Sequence, residues 1–205
     1  MGEQQFRHLR CCEAPAYTPE LFKGGAWHSM AANAVIRDYH STAVLLPSGK
    51  VLTGGGESRN YGPWPDCTNQ TGRVPTVAVA DYQVFLPPYL NCGASQPTIL
   101  GQNTTLPNNF WVWPYGSPQN VTHSTLPLGV SIAKVTLMRV GSVTHHADIN
   151  QRCVELPFTV PATPPSTVRV AVPTKASYLL PRGFYMLFLV TSQGMPSKAA
   201  FVQIQ

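Results

Sequence analysis

Apolar and polar positions along the chain fall into short blocks punctuated by glycine and proline. The sharpest block is 37–56, RDYHSTAVLLPSGKVLTGGG. Thr42 to Leu46 is apolar with β-branched members, Pro47-Ser48-Gly49-Lys50 carries turn chemistry, and Val51-Leu52-Thr53 resumes the run before three glycines stop it. Gly49 accepts a positive φ and Pro47 fixes how the chain enters the turn, so the pattern predicts a β-hairpin. Residues 57–75 lose periodicity and predict a loop. Residues 76–86, TVAVADYQVFL, alternate and predict a strand, which Pro87-Pro88-Tyr89-Leu90 ends. Beyond that boundary come seven apolar runs separated by turn signals: Thr98 to Leu100, Asn109 to Val112, Val130 to Val140, Arg152 to Phe158, Thr167 to Val172, Gly183 to Thr191 and Ala199 to Ile204. Seven short strands in roughly a hundred residues is the spacing of an immunoglobulin-like sandwich. Upstream of the hairpin, residues 1–14 are polar and unpatterned, and 15–22 read as a strand end and a proline-punctuated turn. No stretch predicts a helix.

Composition sharpens this picture. The 205 residues allow one or two domains with a real core. Twenty prolines and sixteen glycines argue against long helices. The net charge of +5 is thinly spread; Arg7 and Arg10 come nearest to a cluster, and no basic stripe is interleaved with aromatics, so no nucleic-acid partner is expected. The longest apolar run, Phe184 to Val190, is far too short to span a membrane. Three sequons, at Asn69, Asn103 and Asn120, give the chain an extracellular character. Five cysteines (Cys11, Cys12, Cys67, Cys92 and Cys153) are an odd number without a C-x-x-C pair, which argues against structural zinc and leaves connectivity open, Cys67 being either free or bonded to Cys92. The opening MGEQQFRHLRCC lacks the apolar centre of a signal peptide, and Met1-Gly2 has no Ser or Thr at position 6 to suit myristoylation. Secreted character without a secretion signal leads to the expectation that the beginning of the protein is absent.

Candidate chemistry sits at the head of the hairpin, where Tyr39 and His40 are a phenol and an imidazole side by side. Both are good ligands for a borderline transition metal. Neighbours on a regular strand point to opposite faces, so the two can share one metal only at a strand end or an irregularity, for which Asp38 and Ser41 leave room. Taken alone, His40 reads more readily as an ordinary surface or satisfied histidine beside a packing tyrosine. A Ser41-His40-Asp38 triad is excluded, because sequence neighbours cannot form its geometry and no G-x-S-x-G elbow exists. Tyr185, Met186 and Phe188, in an apolar strand, are expected in the core. His28 is expected to cover a strand edge, and His123, beside the third sequon, to be solvated.

The residues now named resemble those of a known family. Trp27, Met30, Arg37 to Ala43, then Leu45 to Val51 and Gly54-Gly55, resemble a late kelch-type propeller blade of the galactose oxidase and glyoxal oxidase family of copper radical oxidases. Gln83-Val84-Phe85 with Pro87 to Leu90 resembles that family's junction into a C-terminal sandwich. Val135 to Arg139, Thr144-His145 and Asn150-Gln151-Arg152 are similar to the segment that carries its last copper histidine. Pro181 to Phe188 with Gly194 to Ser197 resembles its closing P-G-Y-Y-M-L-F…G-V-P-S signature. The resemblance covers about residues 15 to 205.

It implies an all-β chain: a partial kelch-like propeller blade with its loop over 1–86, and an immunoglobulin-like early-set sandwich over 87–205. It implies one copper ion held by Tyr39, His40 and His145, with Tyr39 also the base that takes the substrate hydroxyl proton and His146 the lesser rival for the second histidine. The implied reaction oxidises a primary alcohol or aldehyde with O2 to give H2O2. Arg139 and Arg152 are expected to hold loops through backbone hydrogen bonds. The family also needs an upstream tyrosine cross-linked to a cysteine, and neither Tyr17 nor Cys11 and Cys12 stands in that motif. The chain is therefore expected to be the C-terminal piece of an extracellular oxidase, inactive by itself because the Tyr–Cys radical cofactor is not encoded in it. The alternative is a non-catalytic β-sandwich module that binds a glycan or a protein partner.

Overall fold

The structure, a computed structural model, describes residues 18–35, 37, 40–59, 76–91, 93–101, 109–144, 147–162, 166–175 and 178–205. Among these residues the regular elements are all strands apart from one 3-10 turn at Pro88–Leu90. The chain groups into two compact units. The first takes 1–43, 53–83 and 144–146; the second takes 44–52, 84–143 and 147–205.

The described part opens with an antiparallel hairpin, β1 (Glu20–Lys23) and β2 (Ala26–Ser29), turned at Gly24-Gly25. His28 is exposed on it, with Nε2 3.2 Å from the Lys23 carbonyl. β3 (Ser41–Leu45) and β4 (Val51–Gly55) are the two arms of the expected hairpin. Next come β5 (Glu57–Arg59), β6 (Thr76–Ala78) and β7 (Tyr82–Phe85). The order β3-β4-β7 makes one sheet, and β5 pairs antiparallel with β6 in another.

Two expectations are corrected here. The stretch 57–75 is not loop throughout, because it opens with β5, and 76–86 is two strands rather than one. Both corrections have one cause. Gly55 and Gly56 take φ of 63° and 98°, values that glycine alone adopts cheaply, so the chain bends between β4 and β5. The opposite side bends with it: the Gly55 amide donates to the Asp81 carbonyl at 3.2 Å and the Val79 amide to the Gly56 carbonyl at 2.9 Å. A break in one strand forces a break in its partner.

The predicted turn forms at Pro47–Lys50. The Leu46 amide donates to Lys50 O and the Gly49 amide to Leu46 O, each at 2.8 Å, with Gly49 at φ 80°. Three donors fasten its outward carbonyls: the Tyr89 hydroxyl on Gly49 O at 2.7 Å, Gln96 Nε2 on Ser48 O at 2.9 Å, and the Ala199 amide on Pro47 O at 2.8 Å. These bonds explain why 44–52 belongs with the second unit.

The rest of that unit is a sandwich. The strands that follow are β8 (Trp111–Trp113), β9 (Gln119–Thr122), β10 (Ile132–Arg139), β11 (Val143–Thr144), β12 (Ala147–Asp148), β13 (Cys153–Leu156), β14 (Phe158–Thr159), β15 (Thr167–Val170), β16 (Gly183–Thr191) and β17 (Ala200–Ile204), Thr144 being grouped with the first unit. One sheet runs β13-β10-β16-β17-β8 and the other β14-β15-β9, while β11 and β12 pair with each other. Period-two alternation sends Val135, Leu137, Leu187, Leu189, Val202 and Ile204 from the first sheet, and Val121, Val168 and Val170 from the second, into one core at 0% exposure. Tyr185, Met186 and Phe188 are buried as expected. Strand β9 was not foreseen, because Gln-Asn-Val-Thr offers a single apolar residue; an edge strand needs only that one inward side chain. His123 is a further correction. It is not solvated but 7% exposed, with Nδ1 donating to Ser124 O at 2.8 Å and its amide to Ser166 O at 2.8 Å. Arg152 holds the loop before β16 as expected, donating to the carbonyls of Tyr178 and Leu179.

Burial pushes the Tyr89 phenol above its ordinary value of 10.0. A raised phenol stabilises the fold below pH 10 and loses that contribution as pH rises through the folded-state value. Tyr89→Phe is expected to lower stability by about 1 kcal/mol at neutral pH, the worth of one hydrogen bond. The gap from the parent chain should shrink above pH 10 in urea melts; a gap independent of pH would contradict the role given to this bond.

Candidate functional site

His40 is the last residue before β3 and takes φ 64°, in the left-handed region. Few residues other than glycine adopt it, and those that do concentrate where the surroundings enforce it. Its side chain is exposed. Gly55 of β4 lies beside its carbonyl, and Gly54 beside Tyr82. A Cβ on Gly54 would lie 3.3 Å from the Cβ of Tyr82, tighter than ordinary packing, and one on Gly55 would lie 3.5 Å from the His40 carbonyl oxygen. The glycine run is thus needed for the bend at Gly55 and Gly56, while Gly54 gives the Tyr82 side chain room.

Arg37 fixes the chain just upstream. Its Nη1 donates to the carbonyls of Gly55 at 2.9 Å and Asp81 at 3.1 Å, and its Nη2 to Asp81 Oδ1. The guanidinium side chain is 5% exposed and the Asp81 side chain 51%. Arg37 therefore ties the end of β4 and the start of β7 to the segment that delivers Tyr39 and His40. Asp81 is a member that sequence reading missed. It sits inside an alternating run, and only the interruption of apolar residues at Ala80-Asp81 hinted at the break.

Of the three expected ligands, His40 lies within the described residues, while Tyr39 and His145 lie outside them, as do His146, Tyr17, Cys11, Cys12, Cys67 and Cys92. Thr144, the residue before His145, belongs to the same unit as Arg37 and His40. In the second unit, Asp148 Oδ1 accepts from the amides of Ser142 at 2.9 Å and Asn150 at 3.0 Å. A Cβ on Gly141 would come within 3.1 Å of Asp148 Oδ2, closer than ordinary packing, so a larger residue there would press on this carboxylate. Among the described residues no group of three His, Cys, Asp or Glu side chains is arranged to hold a metal. A phenol with two imidazoles suits the tetragonal preference of Cu(II). His40 itself departs from regular strand geometry, with φ 64°. The donor set thus fits copper in its chemistry. Cys153, on the edge strand β13, carries a free thiol raised by burial and by Glu155, against a smaller pull from Lys134, which makes it a poor nucleophile.

The second unit's two facing sheets define an immunoglobulin-like sandwich of the early-set kind. The family described as galactose oxidase-like, early set domain, matches residues 96–204, and the chain belongs to that family. A galactose oxidase of Gibberella zeae is 30% identical over 196 residues, covering 93% of this chain and 25% of that protein. Aldehyde oxidase GLOX1 of Arabidopsis thaliana is 28% identical over 201 residues, covering 93% of this chain and 30% of that protein. The chain thus spans between a quarter and a third of the length of these relatives. A solved fungal alcohol oxidase of the AA5 family, in complex with copper, shares the fold with a TM-score of 0.68 at 24% identity, over 92% of this chain and 36% of its own.

Arg37→Ala is expected to cost about 3 kcal/mol or more, since it strips two charge-assisted donors, each worth about 1.5–3 kcal/mol, from two carbonyls. Asp81→Asn keeps the backbone acceptor and loses only a half-exposed ion pair, worth about 0–1 kcal/mol. Amide exchange at Gly55 should accelerate strongly in the first variant and little in the second. Equal effects would mean that the ion pair, and not the carbonyl clamp, holds the segment.

Proposed function

We propose that this chain carries the copper-gripping side of an extracellular oxidase of primary alcohols or aldehydes, with Tyr39, His40 and His145 as ligands, the β3-β4-β7 sheet belonging to a kelch-type blade. The observation that carries the reading is the left-handed backbone at His40, held between the Arg37 clamp and the glycines of β4. Membership in the galactose oxidase-like family and the grouping of Thr144 with the His40 segment support it.

In this reading His40 and His145 supply neutral imidazole donors, and Tyr39 supplies a phenolate that takes the proton of the substrate hydroxyl. Copper, when bound, supplies a Lewis acid that acidifies that hydroxyl and accepts one electron. The balanced reaction is an alcohol plus O2 giving an aldehyde plus H2O2, a two-electron exchange. The second electron needs the cross-linked Tyr–Cys partner, which these residues do not include, so the chain by itself turns over nothing; its copper binding is expected to be weak. A second reading, a glycan-binding module, draws on the exposed aromatic pair Phe22 and Trp27, whose ring centroids lie 5.1 Å apart at the tip of the first hairpin.

Calorimetric titration with Cu(II) tests the ligand set. His40→Ala and His145→Ala should each weaken binding at least about tenfold, the least that losing even an outer-shell partner of a ligand costs, while His146→Ala should change little. No H2O2 is expected from the copper-loaded chain with galactose, glyoxal or methylglyoxal. Unaltered copper affinity in both His→Ala variants would remove the metal reading and favour the module. H2O2 production by the chain would refute the need for a missing partner.

A further inference from the structure

We propose that Asn120 is an N-glycosylation site. Asn120-Val121-Thr122 is the one sequon of the three whose asparagine the structure describes, and it lies on β9, which ends the three-stranded sheet. Val121 points inward and is fully buried, so alternation turns Asn120 and Thr122 outward, and both are exposed. The strand registers continue this outward row. Asn120 stands opposite Arg169, and Arg169 opposite Thr159, both exposed. The outer face around Asn120 is therefore a polar stripe across three strands, which a sugar can cover without hiding apolar surface.

Transfer must precede folding, because β9 is paired with β15 once the sandwich forms. The chain order allows this. Arg169, the partner of Asn120, lies about 50 residues later, so at roughly 5–20 residues per second the sequon stays unpaired for several seconds during synthesis. The co-substrate is a lipid-diphosphate-linked oligosaccharide. Asn120 Nδ2 bonds to the anomeric carbon of its first N-acetylglucosamine while the bond from that carbon to the diphosphate oxygen breaks. The lipid diphosphate leaves, one amide proton is released, and nothing is oxidised or reduced. The Thr122 hydroxyl is the recognition element two residues on.

The test is secretion of the full 205-residue chain from yeast behind a cleavable leader, followed by N-glycosidase release in heavy-oxygen water and peptide mass spectrometry. Asn120 is expected back as heavy-oxygen-labelled Asp, and Thr122→Ala should abolish the label. Asn120→Gln should remove the same glycan while leaving the near-ultraviolet circular dichroism unchanged, which separates loss of the sugar from loss of the fold. Recovery of unlabelled Asn120 from folded, secreted protein overturns the proposal, whether or not Asn69 and Asn103 are labelled. Copper affinity does not enter the measurement, so its outcome is independent of the metal reading.

Discussion

Each proline withdraws a backbone donor and leaves its carbonyl behind. With twenty of them in 205 residues, the loops of this chain hold more acceptors than amides. The structure answers with side-chain donors. Tyr89 and Gln96 serve the carbonyls of the Pro47–Lys50 turn, Tyr115 serves Leu180, Tyr185 serves Pro181, and Arg152 serves Tyr178 and Leu179. Arg37 does the same for Gly55 and Asp81. Only 11% of the residues are charged, so phenols and amides carry much of this work and the few arginines are spent on loops. A loop held by such bonds keeps one conformation, and the chemistry proposed for this chain needs that fixity.

The balance at His40 follows from the same device. A left-handed conformation costs a residue other than glycine about 1–3 kcal/mol. Charge-assisted bonds from a buried guanidinium contribute about 1.5–3 kcal/mol each, and Arg37 makes two to main-chain carbonyls within the same unit. The clamp therefore outweighs the strain. In the second unit the ladder of β10 against β16, with the core on one side of it, is the rigid base from which the loops extend. The Asp148 brace plays the clamp's part for the β11–β12 arm.

Much of this was legible in the sequence. The turn at Pro47–Lys50 was readable because a proline and a glycine at fixed offsets dictate local backbone angles. The burial of Tyr185, Met186 and Phe188 was readable because a long apolar run has nowhere else to go. The metal-ligand candidates rest on motif order, and of them the described residues include His40, whose backbone is left-handed. The misses share a cause. Strand β9 holds a single inward residue and so carries almost no periodic signal. The break at Val79–Asp81 is imposed by glycines on the partner strand rather than by its own residues. His123 lies in polar surroundings in the sequence, yet Ile99 and Ser166 close over its backbone.

The sequence by itself determined the β class, the turn chemistry, the alternating core and the residue types on offer for a metal, because these depend on neighbours a few positions away. The tertiary structure decided which polar residues are buried, where strands break and which carbonyls Arg37 clamps. Those outcomes depend on groups such as Gly55 and Asp81 meeting Arg37, or Ser166 meeting His123, and contacts between distant positions leave no periodic mark on the chain.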